Sequence, residues 1–207
     1  SWTQVDQWQR SVDQAEAQHS AARYKYLAMP VERVAEDAAA VKMGQRMFAN
    51  NCAQCHGADA KGSYGFPDLT DGDWLWGGSP AEIKASITHG RRAAMPSWGP
   101  MLGDDGVRDV AAYVLSLNGR DVNAEQAAAG KAQFAMLCSA CHGADGAGNP
   151  LFGAPNLTNG IWLYGGEAAQ VMHSVRSGRQ GEMPAHAELL GEDKIHLLSA
   201  YIYQLNQ

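Results

Sequence analysis

Two short stretches of the sequence are the strongest indication of its fold: Cys52-Ala53-Gln54-Cys55-His56 and Cys138-Ser139-Ala140-Cys141-His142. They contain all four cysteines of the 207-residue chain, and a histidine directly follows each pair. Two thiols on one helical turn can add to the two vinyl groups of a haem, while the adjacent imidazole reaches the iron. The pattern therefore predicts two covalent haem c sites, in which both cysteines of a stretch are anchors and its histidine is an iron ligand.

The second half of the chain repeats the first. The match begins at Cys52 and Cys138 with an offset of 86 residues, and after a two-residue insertion the offset is 88. Further matched pairs are Pro67/Pro155, Trp74/Trp162, Gly90/Gly178, Arg91/Arg179, Met95/Met183 and Leu117/Leu205. Because the period is near 90 residues, it favours two tandem copies of one domain over a solenoid.

The predicted organisation is a leader over residues 1–37, a first domain over 38–120 and a second over 121–207. The turn-rich stretch Asn118-Gly119-Arg120-Asp121-Val122-Asn123 marks the boundary between the copies. The leader, with Trp2 and Trp8, is either a short helix that packs on a domain or a plain lead-in, and we favour the lead-in.

Each copy is predicted to begin and end with a helix. The leading helices contain Gly44 and Gly130, each eight residues before a cysteine, which indicates close backbone approach to a second helix. The last helix of each copy, over about residues 107–117 and 194–205, has one apolar face. We expect it to pack across the leading helix.

Composition limits the functional classes. With 45% hydrophobic and 18% charged residues the chain is typical of a globular protein. The net charge of −6 disfavours nucleic acid or an anionic membrane surface as a partner and favours a partner with a positive docking face. No stretch approaches the roughly 20 apolar residues of a membrane helix, and the chain starts at Ser1, so we expect a mature or trimmed protein.

The sixth iron ligands are predicted from position. Met95 and Met183 are matched, and each precedes a proline that biases the chain toward an extended loop, from which a thioether can be held over a haem face. In the first copy His89 is a rival, although its counterpart in the second copy is Ser177. The other candidates, His173 and His186, are typical of surface or helix-face histidines.

Other matched residues are predicted to surround the haems. Arg91 and Arg179 are either solvated charges or contacts of haem propionates. The segments Trp74-Leu75-Trp76 and Trp162-Leu163-Tyr164 are predicted to form core and pocket wall.

The sequence resembles the dihaem, membrane-anchored c-type subunit (the P subunit, or FixP type) of bacterial cbb3-type cytochrome c oxidases. The resemblance covers nearly the whole chain. It rests on residues 43–52, 66–71, 74–78, 110–114 and 153–158, together with the leader residues 24–31.

This resemblance implies an all-α protein with two tandem class I cytochrome c domains and two covalently bound haem c groups. It would lie in the periplasm, tethered to the inner membrane, and pass electrons from soluble donor cytochromes to the oxidase core and its other c-type subunit. It would not itself be an enzyme. The membrane anchor of the family is missing, which indicates a soluble fragment or an anchor removed.

Two other functional classes remain open from the residues alone. A peroxidase-like dihaem enzyme would need an open or displaceable sixth position and nearby acid or base groups, and two matched Met-Pro pairs disfavour it. A gas-responsive haem module would need a conformational output, and no signalling domain is apparent. A zinc or thioredoxin-like role is disfavoured because each cysteine pair comes with histidine.

Overall fold

The structure is a computed structural model that describes residues 3–207. Trp2, which contributed to the leader prediction, lies outside the described residues. The elements in chain order are α1 (Gln4–Leu27), α2 (Val31–Val34), α3 (Ala38–Asn51), α4 (Ala53–His56), α5 (Pro80–His89), β1 (Arg91–Met95), α6 (Gly99–Ser116), α7 (Ala124–Leu137), α8 (Ser139–His142), α9 (Ala168–Ser177), β2 (Arg179–Met183), α10 (Ala187–Leu190) and α11 (Glu192–Gln204).

These elements form two compact units, and neither is a continuous stretch of chain. Unit 1 consists of the chain through Cys52, Ser79–His89 and Ala185–Gln207. Unit 2 consists of Ala53–Gly78 and Gly90–Pro184.

Unit 1 is built around the crossing of α3 and α11, with α5, α1 and α2 also packed on α11. The crossing is close because Gly44 has no side chain: a Cβ there would lie 2.5 Å from the Leu197 carbonyl oxygen and 2.7 Å from the Tyr201 Cβ. Beside it, the rings of Phe48 and Tyr201 lie 5.5 Å apart. The predicted close approach at this glycine is confirmed.

Unit 2 repeats this crossing with α6 and α7, and α9 packs on α6. A Cβ on Gly130 would overlap the Asp109 carbonyl oxygen, so the second predicted close approach is also confirmed. The Tyr113 and Phe134 rings lie 5.2 Å apart and are the repeat equivalents of the ring pair in unit 1.

The predicted crossing of leading and final helices is thus present, but each final helix crosses the leading helix of the other copy. Helix α11 of the second copy packs on α3 of the first, and α6 of the first copy packs on α7 of the second. Both leading helices offer a glycine and both final helices a tyrosine, so the sequence pattern fits either pairing equally. The domain boundaries at 38–120 and 121–207 remain a prediction about the sequence copies.

The leader forms a helix rather than the plain lead-in we favoured. Helix α1 begins at the N-cap Thr3, whose hydroxyl accepts from the Asp6 amide, and most of it is exposed. Its last turn buries Arg23 and Tyr26, and Arg23 pairs with Asp193 of α11. The leader is therefore attached to unit 1.

A short two-stranded sheet supplements the helices. Strands β1 and β2 pair antiparallel, with Met95 opposite Arg179 and Met183 opposite Arg91. The Met-Pro steps, predicted to be extended, follow directly from the ends of these strands. None of the helices formed by residues 3–207 is both long enough and apolar enough to span a membrane.

The glycine contact gives a stability prediction. Alanine at position 130 should gain up to about 1 kcal/mol of helix propensity, but its methyl group would force α6 away from α7 at a cost of about 1–3 kcal/mol. We expect Gly130→Ala to lower the free energy of unfolding in urea. Lys131→Ala, at an exposed neighbouring position, is the control and should change little. Equal or greater stability of Gly130→Ala would contradict the close packing.

Histidine 196 gives a pH prediction. Its Nε2–H donates to the Met29 carbonyl at 2.9 Å, and the Lys84 ammonium lies 3.4 Å from Nδ1. Burial, and secondarily Lys84, lower the pKa of His196, so the folded protein holds it neutral. Its contribution to stability is complete above pH about 6.5 and is lost as pH falls below that value.

We therefore expect the unfolding free energy to decrease on acidification by up to about 1.4 kcal/mol per pH unit from this group. His196→Gln, which keeps a donor for Met29 but does not titrate, should show a shallower pH dependence in urea unfolding at pH values on both sides of 6.5. An unchanged slope would show that another group is responsible.

Candidate haem sites

Each cysteine pair lies where a long helix gives way to a single helical turn. Cys138 follows α7 and its N–H donates to the Phe134 carbonyl at 2.9 Å, and Cys52 closes α3 in the same way. The one-turn helices α4 and α8 then carry the second cysteine and the histidine. Cys55 and Cys141 are exposed, Cys52 is half-buried and Cys138 is buried. The predicted arrangement of thiols and imidazole on one helical turn is therefore possible in both copies.

The two histidines have matched hydrogen-bond partners. His56 Nδ1–H donates to the Pro67 carbonyl at 3.1 Å, and His142 Nδ1–H donates to the Pro155 carbonyl at 3.2 Å. This bond fixes the tautomer in which Nε2 carries the lone pair for a metal. In the sequence these prolines are matched positions, but nothing in the residue pattern predicts a role for their carbonyls.

A glycine in each loop allows the proline carbonyl to reach the histidine. Gly148 donates its N–H to the His142 carbonyl at 2.8 Å and has a φ of +88°. A Cβ there would lie 2.8 Å from the Ala154 oxygen and from the Pro155 carbonyl carbon. Gly62 occupies the equivalent place beside Pro67. The loop thus needs glycine both for its backbone angle and for the close approach.

The second site is apolar, and burial disfavours the charged forms of Cys138 and His142. Burial, with a smaller contribution from Cys141, raises the pKa of Cys138 to about 11. Burial lowers the pKa of His142, although the bond to Pro155 acts in the opposite direction. An uncharged imidazole is the form that binds a metal ion.

An apolar cluster surrounds Cys138. Its buried members include Phe134, whose ring centroid lies 6.5 Å from that of His142. Leu157 and Trp162 pack against this cluster from the loop that follows α8, and Gly166 lies directly against the Trp162 ring. The predicted role of Trp162 as part of the core is confirmed, and the cluster has the composition of a porphyrin pocket wall.

The two methionines predicted as sixth ligands end the two strands. Met95 is the last residue of β1 and Met183 the last of β2, and both are half-buried. Met95 packs against the cluster that contains Cys138. The rival His89 is exposed at the end of α5, and His173 is exposed on α9. Burial therefore favours the methionines over either histidine, and their ligation remains a prediction.

The matched arginines are held by aromatic rings rather than freely solvated. Arg91 lies 5.0 Å from the Trp76 ring centroid and Arg179 4.3 Å from that of Tyr164. Arg179 Nε donates to the Ser174 hydroxyl at 2.9 Å. Its Nη2 is buried without a hydrogen-bond partner among the described residues. A buried cationic donor of this kind fits a carboxylate such as a haem propionate.

The loop geometry gives a prediction about the second haem. Alanine at position 148 should push the Pro155 carbonyl away from His142, and an imidazole without its Nδ1 acceptor is less basic. We expect Gly148→Ala to raise the midpoint potential of one haem, because the weaker donor stabilises ferric iron less. Potentiometric titration measures this, with Gly160→Ala, at a position with open space around it, as control. Equal potentials in both variants would contradict the role of the loop.

Comparisons with known proteins agree with the repeat. The family model for "Cytochrome C oxidase, cbb3-type, subunit III" matches residues 39–114 and again residues 125–202. The two matched stretches correspond to the two sequence copies.

Several curated relatives are similar over most of the chain. The "Cbb3-type cytochrome c oxidase subunit CcoP" of Rubrivivax gelatinosus is 45% identical over 207 residues, which are 100% of this chain and 68% of that protein. The "Cbb3-type cytochrome c oxidase subunit FixP" of Sinorhizobium medicae is 42% identical over 80% of this chain and 61% of that protein. The CcoP subunit of Cereibacter sphaeroides is 43% identical with the same coverage. The chain thus spans about two thirds of the length of these relatives.

Proposed function

Since the chain belongs to the family of cytochrome c oxidase, cbb3-type, subunit III, we propose that it carries single electrons to the catalytic core of such an oxidase. Family membership makes it a c-type cytochrome subunit that binds haem and takes part in electron transport. We further propose the direction of this transfer, the number of haems and the identity of their ligands.

The residues present fit two haem c groups in two class I cytochrome c folds. One group would be joined to Cys52 and Cys55 with His56 as iron ligand, and the other to Cys138 and Cys141 with His142. Met95 and Met183 would supply the sixth ligands. When bound, haem c supplies an iron that alternates between two oxidation states and so accepts and releases one electron.

The observation that carries this proposal is the pair of matched bonds from His56 to Pro67 and from His142 to Pro155. Each bond holds its imidazole in one orientation and one tautomer, as expected for a permanent metal ligand. Because the bond recurs in both copies with nearly the same length, we expect both histidines to bind the same kind of group, a haem iron.

The surroundings favour a redox potential set by burial and charge. His142 and Cys138 are buried in an apolar cluster, and an apolar surrounding disfavours the extra positive charge of ferric iron. Arg179, which lies on the Tyr164 ring and opposite Met95 in the sheet, adds a cation that acts in the same direction. The apolar cluster and the arginine would both raise the redox potential without making or breaking bonds, which suits an electron carrier.

We place oxygen reduction in the oxidase core rather than in this subunit. With histidine on one face and methionine on the other, neither iron would have an open position for oxygen. The proposed partners are the core, the other c-type subunit and soluble donor cytochromes in the periplasm, with the complete protein tethered to the inner membrane. The net charge of −6 suits donors with a positive docking face.

An optical redox titration of the haem-loaded chain tests this function. We expect two low-spin haems, each titrating with one electron, and the weak sulfur-to-iron charge-transfer band in the ferric state. Met95→Ala and Met183→Ala should each remove a share of this band, whereas Met172→Ala, a half-buried methionine of α9 that also packs against the Cys138 cluster, should leave it intact.

A band that survives both substitutions would overturn the methionine ligation. Turnover of hydrogen peroxide by the unmodified protein at the rate of a peroxidase would instead show an open iron, and the electron-carrier proposal would fail.

A further inference from the structure

We infer that the two methionines serve each other's haem: Met95 ligates the iron attached through Cys138 and Cys141, and Met183 ligates the iron attached through Cys52 and Cys55. This inference rests on the proposed function, since it takes methionine ligation as given and assigns each methionine to an iron. The sequence repeat by itself suggests the opposite assignment, in which each methionine serves the haem of its own copy.

The first support is the packing of Met95. This residue belongs to the first copy, yet its side chain packs against the apolar cluster formed by Phe134, Cys138, Val171 and Val175 of the second copy together with α6. Trp162 packs on the same cluster. Met95 therefore packs against the cluster that contains Cys138, and both residues belong to unit 2.

The second support is the path of the backbone beyond each methionine. The Trp98 amide donates to the Val175 carbonyl at 3.0 Å, and the His186 amide donates to the Ile87 carbonyl at 3.0 Å. The two bonds are repeat equivalents, and each joins the segment after a methionine to the middle helix of the other copy. A Cβ on Gly178 would overlap the Met95 carbonyl oxygen, so the backbone at Met95 already lies against the second copy.

The third support is the register of the strands. Met95 faces Arg179, which stacks on Tyr164 and bonds to Ser174 of the second copy. Met183 faces Arg91, which stacks on Trp76 of the first copy. Each methionine is thus paired with an arginine that is held by the aromatic segment of the other copy.

The exchange follows from where the chain passes from one sequence copy to the other. It does so along β1 and β2, and both methionines are the last residues of these strands. The chain beyond β1 leads into α6, which packs on α7 and α9 of the second copy. Met95 lies directly before this segment and is therefore held beside the second copy as well. If the chain passed to the other copy only after the Met-Pro steps, each methionine would pack against its own copy.

Proton NMR of the full dihaem chain in the ferrous state tests the assignment. A methionine methyl group bound to low-spin ferrous haem resonates far upfield, and Met95→Leu and Met183→Leu, as matched variants, identify which signal belongs to which residue. Nuclear Overhauser contacts then connect each methyl group to one haem, and that haem to the thioether protons of its cysteines. The unmodified chain provides the contacts, and the variants are needed only to identify the two methyl signals.

We expect the Met95 methyl group to contact the haem attached to Cys138 and Cys141, and the Met183 methyl group to contact the other haem. Contact of Met95 with the haem of Cys52 and Cys55 would overturn the exchange while leaving the proposed function intact. Absence of both upfield methyl signals would overturn methionine ligation, and the exchange with it.

Discussion

The contact between a leading and a final helix, made through a helix glycine, is the constraint on which the rest of the structure depends. At Gly44 the backbone of α11 approaches so closely that a methyl group would collide with it, and at Gly130 the same holds for α6. Each contact is completed by a tyrosine and a phenylalanine in van der Waals range. Such a crossing fixes where each leading helix ends, and each leading helix ends at a cysteine.

The candidate haem site follows directly after the end of each leading helix. One helical turn presents the second cysteine and the histidine, and a glycine-dependent loop brings a proline carbonyl to Nδ1. The same crossing determines which final helix completes each unit. Met95 and Met183 directly precede the segments that lead to those helices, so the choice of helix would also determine which methionine serves each candidate site. The proposed ligand assignment is therefore a consequence of helix packing.

Much of this could be predicted from the sequence. The Cys-x-x-Cys-His pattern, the offset of the repeat and the glycines at 44 and 130 are all visible in the sequence, and the predicted close helix approach is present. The identity of the partner helix could not be predicted, because both final helices have the same apolar face and the same tyrosine. A repeat makes the two pairings equivalent in pattern, and only the geometry of β1 and β2 separates them.

Other features lay beyond the sequence for different reasons. The hydrogen-bond acceptors for His56 and His142 are backbone carbonyls. Every residue has such a carbonyl, so the sequence does not show which one accepts. The buried Nη2 of Arg179 became apparent only once its neighbours were placed. The expectation of a plain lead-in is wrong because helix α1 is exposed along most of its length and only Arg23 and Tyr26, near its C-terminal end, are buried.

A double-mutant cycle between Arg23 and Asp193 tests the exchange of final helices most directly. Arg23 precedes the first copy and Asp193 lies at the start of the last helix of the second, and their side chains are 5% and 9% exposed. Arg23→Gln, Asp193→Asn and the double variant should give a coupling energy of about 1–3 kcal/mol in urea unfolding. The exposed local pair Arg33 and Glu36 is the control, since it forms with either pairing and should give at most about 0.5 kcal/mol. A coupling of zero between Arg23 and Asp193 would contradict the exchange, because α11 would then pack elsewhere.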